Sequence, residues 1–84
     1  MQVVNFSFKG TVPVLRQQSL LQEISGWPEV HMARHLDAQS PDRSITRLAY
    51  AYVQPGHGPE PLLQRLRSLP EIEAAGEPAR RGLL

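Results

Sequence analysis

Residues 28–38, PEVHMARHLDA, admit two conformations, and the fold turns on which one they adopt. As an edge strand, Val30, Met32 and Leu36 share one face and His31, Ala33, His35 and Asp37 the other, with Arg34 interrupting the apolar row. As a helix, the same stretch would place Pro28 at its start and Glu29 in its first turn. The break Gly26-Trp27-Pro28 just before it favours the strand, and so do the residues after it. Ser40-Pro41-Asp42 is turn chemistry within residues 39–43. Residues 44–53, SITRLAYAYV, then form the clearest strand in the chain. Leu48, Tyr50 and Tyr52 alternate there with Ala49, Ala51 and Val53. A strand that is apolar on both faces belongs in the middle of a sheet.

Working outward toward the N-terminus, Val3 to Phe8 (VVNFSF) alternates with period two, Val4, Phe6 and Phe8 against Val3, Asn5 and Ser7. Gly10 breaks this strand. Thr11 offers a capping hydroxyl and Pro13 suits a first helical turn. Val14, Leu20, Leu21 and Ile24 then recur at helical spacing, with Arg16, Gln17, Gln18, Gln22 and Glu23 as the wet side. Gly26 stands where a left-handed cap is expected.

Toward the C-terminus, residues 54–61 hold two glycines and three prolines and read as a loop. Leu62, Leu63, Leu66 and Leu69 define a second amphipathic helix, ended by Pro70. Residues 71–76 form a short strand with Ile72 and Ala74 on one face, and Pro78 beside it suits an edge. The expected order is strand, helix, strand, strand, helix, strand within one domain, residues 1–78, followed by a frayed tail, 79–84. That order implies an α+β fold, a ferredoxin-like βαββαβ sandwich. Its antiparallel four-stranded sheet would have the first and third strands central and both helices on one face.

Composition narrows the function classes. Eighty-four residues hold one domain with a thin core, burying about 60–65% of the unfolded surface. There is no cysteine, hence no disulfide framework and no thiolate metal site. No run approaches the roughly 18 apolar residues of a membrane span, and no signal-peptide core follows Met1. The expectation is a cytoplasmic protein, or a domain cut from a larger one, with no membrane insertion of this segment. Nine basic residues face eight acidic ones and are scattered from Lys9 to Arg81. Nucleic-acid binders gather a basic surplus on one face, so no nucleic-acid partner is expected.

Chemistry-bearing motifs are few. On a strand His31 and His35 lie about 13 Å apart, too far for one ion. On a helix an H-x-x-x-H pair still lacks further ligands, and His57 sits in the glycine–proline loop. No metal and no cofactor are expected. No serine sits in a Gly-x-Ser-x-Gly elbow, and Glu71 and Glu73 read as solvated carboxylates. The loop QPGHGP lacks the lysine and spacing of a phosphate loop. Tyr50 and Tyr52 share a face of a central strand, where RNA-recognition folds stack bases, but the basic and glycine-rich motif of that family is absent. No catalytic residues emerge, and the chain reads as not an enzyme.

The pattern resembles the ACT family of small regulatory domains over nearly the whole chain. The likeness rests on a first strand leading through Lys9-Gly10-Thr11 into the first helix, on the two central strands, and on LLQRLRSLPEIEAAGEP as second helix and last-strand start. Of the family's Asp-x-x-Gly in the first loop, only Gly10 corresponds. ACT-like domains also form the C-terminal part of MgtC/SapB-type membrane proteins, whose usual terminal tryptophan is missing here.

The resemblance implies a non-enzymatic regulatory domain that dimerises and binds a small polar effector such as an amino acid, with Lys9, Gly10, Thr11 and Val12 as the ligand-binding loop. The uncovered sheet face makes Arg34, Leu48, Tyr50 and Tyr52 the expected homodimer interface. One alternative is a protein-interaction or assembly module without a small ligand. Others are the domain of a membrane transport-associated protein and a small ferredoxin-fold enzyme of the monooxygenase or isomerase type.

Overall fold

The structure, a computed structural model, describes residues 2–36 and 46–77. Among these residues the order is β1 (Val3–Phe8), α1 (Val14–Ser25), β2 (Val30–His35), β3 (Leu48–Val53), α2 (Pro59–Arg67) and β4 (Ile72–Gly76). All neighbouring strands are antiparallel, in the sheet order β2-β3-β1-β4. This is the βαββαβ arrangement expected of a small ferredoxin-like α+β fold. Residues 30–35 are a strand, so the ambiguous segment resolves in favour of the sheet. Asp37, Ala38, the turn at 39–43, the expected start of the third strand at 44–45 and the tail 79–84 lie outside the described residues.

Alternation explains the core. Val4, Phe6 and Phe8 of β1 and Ala49, Ala51 and Val53 of β3 are buried on the face the helices cover. Leu20, Leu21 and Ile24 of α1 and Leu62, Leu63 and Leu66 of α2 close over them. The alanines of β3 leave room for close helix approach. Tyr50 and Tyr52 therefore stand on the other face, where their rings meet edge to face with centroids 5.5 Å apart. Leu69 lies past the end of α2 and packs at the margin of the core.

Two bulges change faces that simple alternation assigns otherwise. Val30 pairs with Val53 but Met32 with Tyr52, so His31 is the extra residue. From there Ala33 and His35 point toward the helices, and Met32 and Arg34 toward the open face. Val30 and Met32 thus lie on opposite faces, and Leu36, beyond the strand, is 57% exposed. In β4, Phe8 pairs with Ile72 but Ser7 with Ala74, which makes Glu73 the extra residue and separates Ile72 from Ala74. A bulge inserts one residue and so reverses the phase of everything after it.

The helix α1 differs from expectation in its details. Its cap position is Pro13, without a side-chain cap bond, so Thr11 does not cap it. Gly26 is right-handed at φ −88°, not left-handed. Val14 is 58% exposed, and its place in the buried stripe belongs to Gln17, 4% exposed. Positions 17, 20, 21 and 24 are the helical i, i+3, i+4, i+7 set.

Both sheet edges are occupied by side chains. On β2 the Ser25 hydroxyl accepts the Ala33 N–H at 3.1 Å and donates to its carbonyl at 3.3 Å. On β4 the Arg67 guanidinium donates to the Ala75 carbonyl from Nη2 at 2.9 Å and Nε at 3.2 Å. Ser25 and Arg67 thus hold backbone groups at both edges that another strand would otherwise pair with.

Candidate functional site: the cleft at the start of helix one and the open sheet face

The loop after β1 is a tight turn. Val12 N–H donates to the Lys9 carbonyl at 3.0 Å, and Lys9 N–H donates to the Glu71 carbonyl at 2.9 Å. The turn forms one wall of a cleft of about 490 Å3, lined by Gly10, Thr11, Val12, Gln17, Thr46 and Arg47 together with Pro13 and Val14. Three of the four expected ligand-loop residues therefore line it, and Lys9 does not. Arg47 lies close over the turn, since a methyl group at Gly10 would sit 3.6 Å from its Nη1. It also pairs with Glu73 at 3.2 Å.

Gln17 organises the floor of the cleft. Its Nε2 donates to the Val12 carbonyl at 3.0 Å, and its Oε1 lies 2.9 Å from His35 Nε2. A carbonyl can only accept, so the amide orientation is set and His35 must carry its proton on Nε2. The His35 ring packs against Phe8 at 6.0 Å between centroids. Burial holds its pKa below the usual 6.5 and favours the neutral ring. His35 is thus a packed histidine tied to the loop after β1 through Gln17, whereas His31 is exposed. The spacing of Gln17 with Leu20, Leu21 and Ile24 carries the signal of its burial; Arg47 is brought to the cleft only by the tertiary fold.

Charged groups nearby are engaged rather than free. Arg16 donates from Nη2 at 3.0 Å and Nε at 3.2 Å to one Glu71 oxygen. The Arg16 hydrogen bond is the main reason the Glu71 carboxyl is held below its ordinary pKa of 4.5. Glu71 and Glu73 are accordingly two separate ion-pair partners. The first turn of α1 holds no acidic residue, and Arg47, paired with Glu73, is the charged residue that lines the cleft. No cluster of three or more metal-ligating side chains exists among the described residues.

The expected interface residues come together elsewhere, on the uncovered face of the sheet. Leu48, Tyr50 and Tyr52 line up along β3, Arg34 pairs in register with Tyr50, and Met32 with Tyr52. A second concavity, of about 430 Å3, lies on this face over Asn5, Ser7, Ala74 and Gly76, bounded by Leu36 and Leu48. The loop cleft opens at one end of the sheet and the tyrosines lie on its face, so the two candidate regions are neighbours through Arg47–Leu48 but not one pocket. No helix among the described residues is long and apolar enough to cross a membrane.

Comparison with known protein families, with curated proteins and with solved structures gives no match to this chain.

Proposed function

We propose that the chain is a non-enzymatic regulatory domain of ACT-like type. It acts as a homodimer and holds a small polar effector such as an amino acid in the cleft beside Gly10, Thr11 and Val12. The observation that carries this reading is the sheet face bearing Leu48, Tyr50 and Tyr52, which no described residue covers. A half-buried aromatic face of this kind, with Leu48 exposed at its end, suits a contact surface, and twofold pairing is the commonest way to bury one. The cleft supports the effector: Arg47 and the Thr11 hydroxyl line it and offer donors for a carboxylate.

A thermal-melting screen against amino acids, nucleotides and divalent ions tests it. A ligand at a hundredfold excess over its Kd stabilises by about 2.7 kcal/mol, a rise of roughly ten degrees or more for a domain this small. The rise should come with an amino acid and be lost in Arg47→Ala. Sedimentation should show a dimer at tens of micromolar that Tyr50→Glu dissociates.

The separation of cleft from sheet face favours one second reading, an assembly module without a small ligand. A dimer whose melting temperature ignores every ligand would establish that alternative.

A further inference from the structure

The open face has two unlike halves. Over β2 and β3 it carries long side chains, Met32 and Arg34 beside Tyr52 and Tyr50. Over β1 and β4 it is low, with Asn5 opposite Gly76 and Ser7 opposite Ala74. The concavity of about 430 Å3 lies over this low half, with Glu77 in its wall. A ridge and a trough on one surface are the two halves of a self-complementary contact.

The strand registers define how two copies would meet. Arg34, Tyr50, Asn5 and Gly76 form a single row across the sheet. A twofold axis can lie between two stacked sheets, parallel to the strands and running between β3 and β1. It carries β2 onto the second copy's β4 and β3 onto its β1, and preserves height along the strands. Each Arg34 then lies over Gly76 and Glu77 of the other copy, and each Tyr50 over its Asn5. The charges suit this: among the described residues neither Arg34 nor Glu77 makes an ion pair, whereas Arg16, Arg47 and Arg65 all do.

Edge-to-edge assembly would first have to displace Ser25 from Ala33 or Arg67 from Ala75. A face contact displaces neither. We infer that a second copy of this chain covers the open face about that axis, each tyrosine ridge lying in the other copy's trough, with two Arg34–Glu77 pairs across the interface. This rests on the proposed dimeric function. The two sheets would stack about 10 Å apart in the aligned manner of a β-sandwich. Four strands of this length offer about 400 Å2 of flat sheet per copy. Over both copies that is about 800 Å2, below the roughly 1,200 Å2 at which standard specific interfaces begin, so the association is a weak one.

Sedimentation equilibrium over tens to hundreds of micromolar tests the inference on the parent, Arg34→Glu, Glu77→Arg, the double exchange and Ala74→Trp. Both single exchanges bring like charges together at two symmetric positions, and each should weaken association about tenfold. The double exchange should return it to within about threefold of the parent, a rescue that no loss of folding can imitate. Ala74→Trp fills the trough from an exposed position and should leave a monomer with the parental melting temperature. A parent dimer that is indifferent to Ala74→Trp and shows no rescue in the double exchange would overturn this geometry and leave the dimer standing. A parent that stays monomeric throughout, whether or not it takes up single-stranded RNA on its tyrosines, removes the dimer and this interface together.

Discussion

The Ser25 hydroxyl bonds both outward backbone groups of Ala33, taking its N–H at 3.1 Å and giving to its carbonyl at 3.3 Å. A serine in the last turn of α1 thus takes the place of an adjacent strand at the middle of the β2 edge. Ser25→Ala should cost about 1–2 kcal/mol, since two part-buried backbone groups lose their partner. The denaturant midpoint measures this. The same variant should aggregate more readily at high concentration, because the edge is then open to another chain.

Gln17 spans from the Val12 carbonyl to His35 across the floor of the cleft. Gln17→Leu keeps the bulk but leaves both groups unpaired, with an expected loss of about 1–3 kcal/mol. A double-mutant cycle with His35→Phe should show coupling above roughly 0.5 kcal/mol. Strict additivity of the two substitutions would show that the Gln17–His35 contact carries no energy.

Stability should fall in two steps on acidification. His35 has its native pKa below 6.5 through burial, so the unfolded chain binds the proton more tightly. Its effect is neutral above pH 6.5 and becomes unfavourable as pH drops through 6.5 toward the lower native value, then levels off. Glu71 has the opposite sign. Its depressed pKa contributes stability above 4.5, which is lost as pH falls through the native value. Denaturant midpoints across this range should lose the first step in His35→Gln and keep the second.

Arg65 joins two contacts at the far side of the core. Its guanidinium lies 4.1 Å from the centre of the Trp27 ring, and its Nη1 donates to both Glu29 oxygens at 3.2 Å. The Glu29 side chain is only 11% exposed. Arg65→Ala strands that carboxylate and removes the cation from the ring, with an expected cost of about 1–3 kcal/mol. Trp27 is the one tryptophan of the chain, so its emission reports the loss directly. Arg65→Lys keeps the charge but not the planar stacking and should cost less.

Leu66 is fully buried in α2. Truncation of such a leucine typically costs about 2–5 kcal/mol, against a total of about 4–12 kcal/mol for a domain of this length. Leu66→Ala should therefore unfold a large fraction of the protein at room temperature, seen by circular dichroism. Leu69→Ala, at the core margin, should be milder.

What could be read from residue order was whatever depends on near neighbours. Alternation in VVNFSF and LAYAYV reflects the pleat of a single strand, and the leucine spacing of α2 reflects the turn of a single helix. These placed the two central strands, the tyrosine face and Leu62, Leu63 and Leu66 correctly, and the element order came from them. The bulges at His31 and Glu73 left no such trace. Neither site holds a glycine or a proline, and a bulge exists only relative to the strand opposite it. Met32, His35 and Ala74 therefore changed faces for reasons lying in β3 and β1. Gln17 is the same case in the helix. A polar side chain is tolerated inside only when partners satisfy it, and of its two partners the Val12 carbonyl is five residues away while His35 reaches it only once α1 has packed across β2. Arg47, just before β3, likewise joins the loop cleft through folding alone. The candidate cleft was half legible, as a loop, and its polar wall was decided by contacts between residues far apart in the chain.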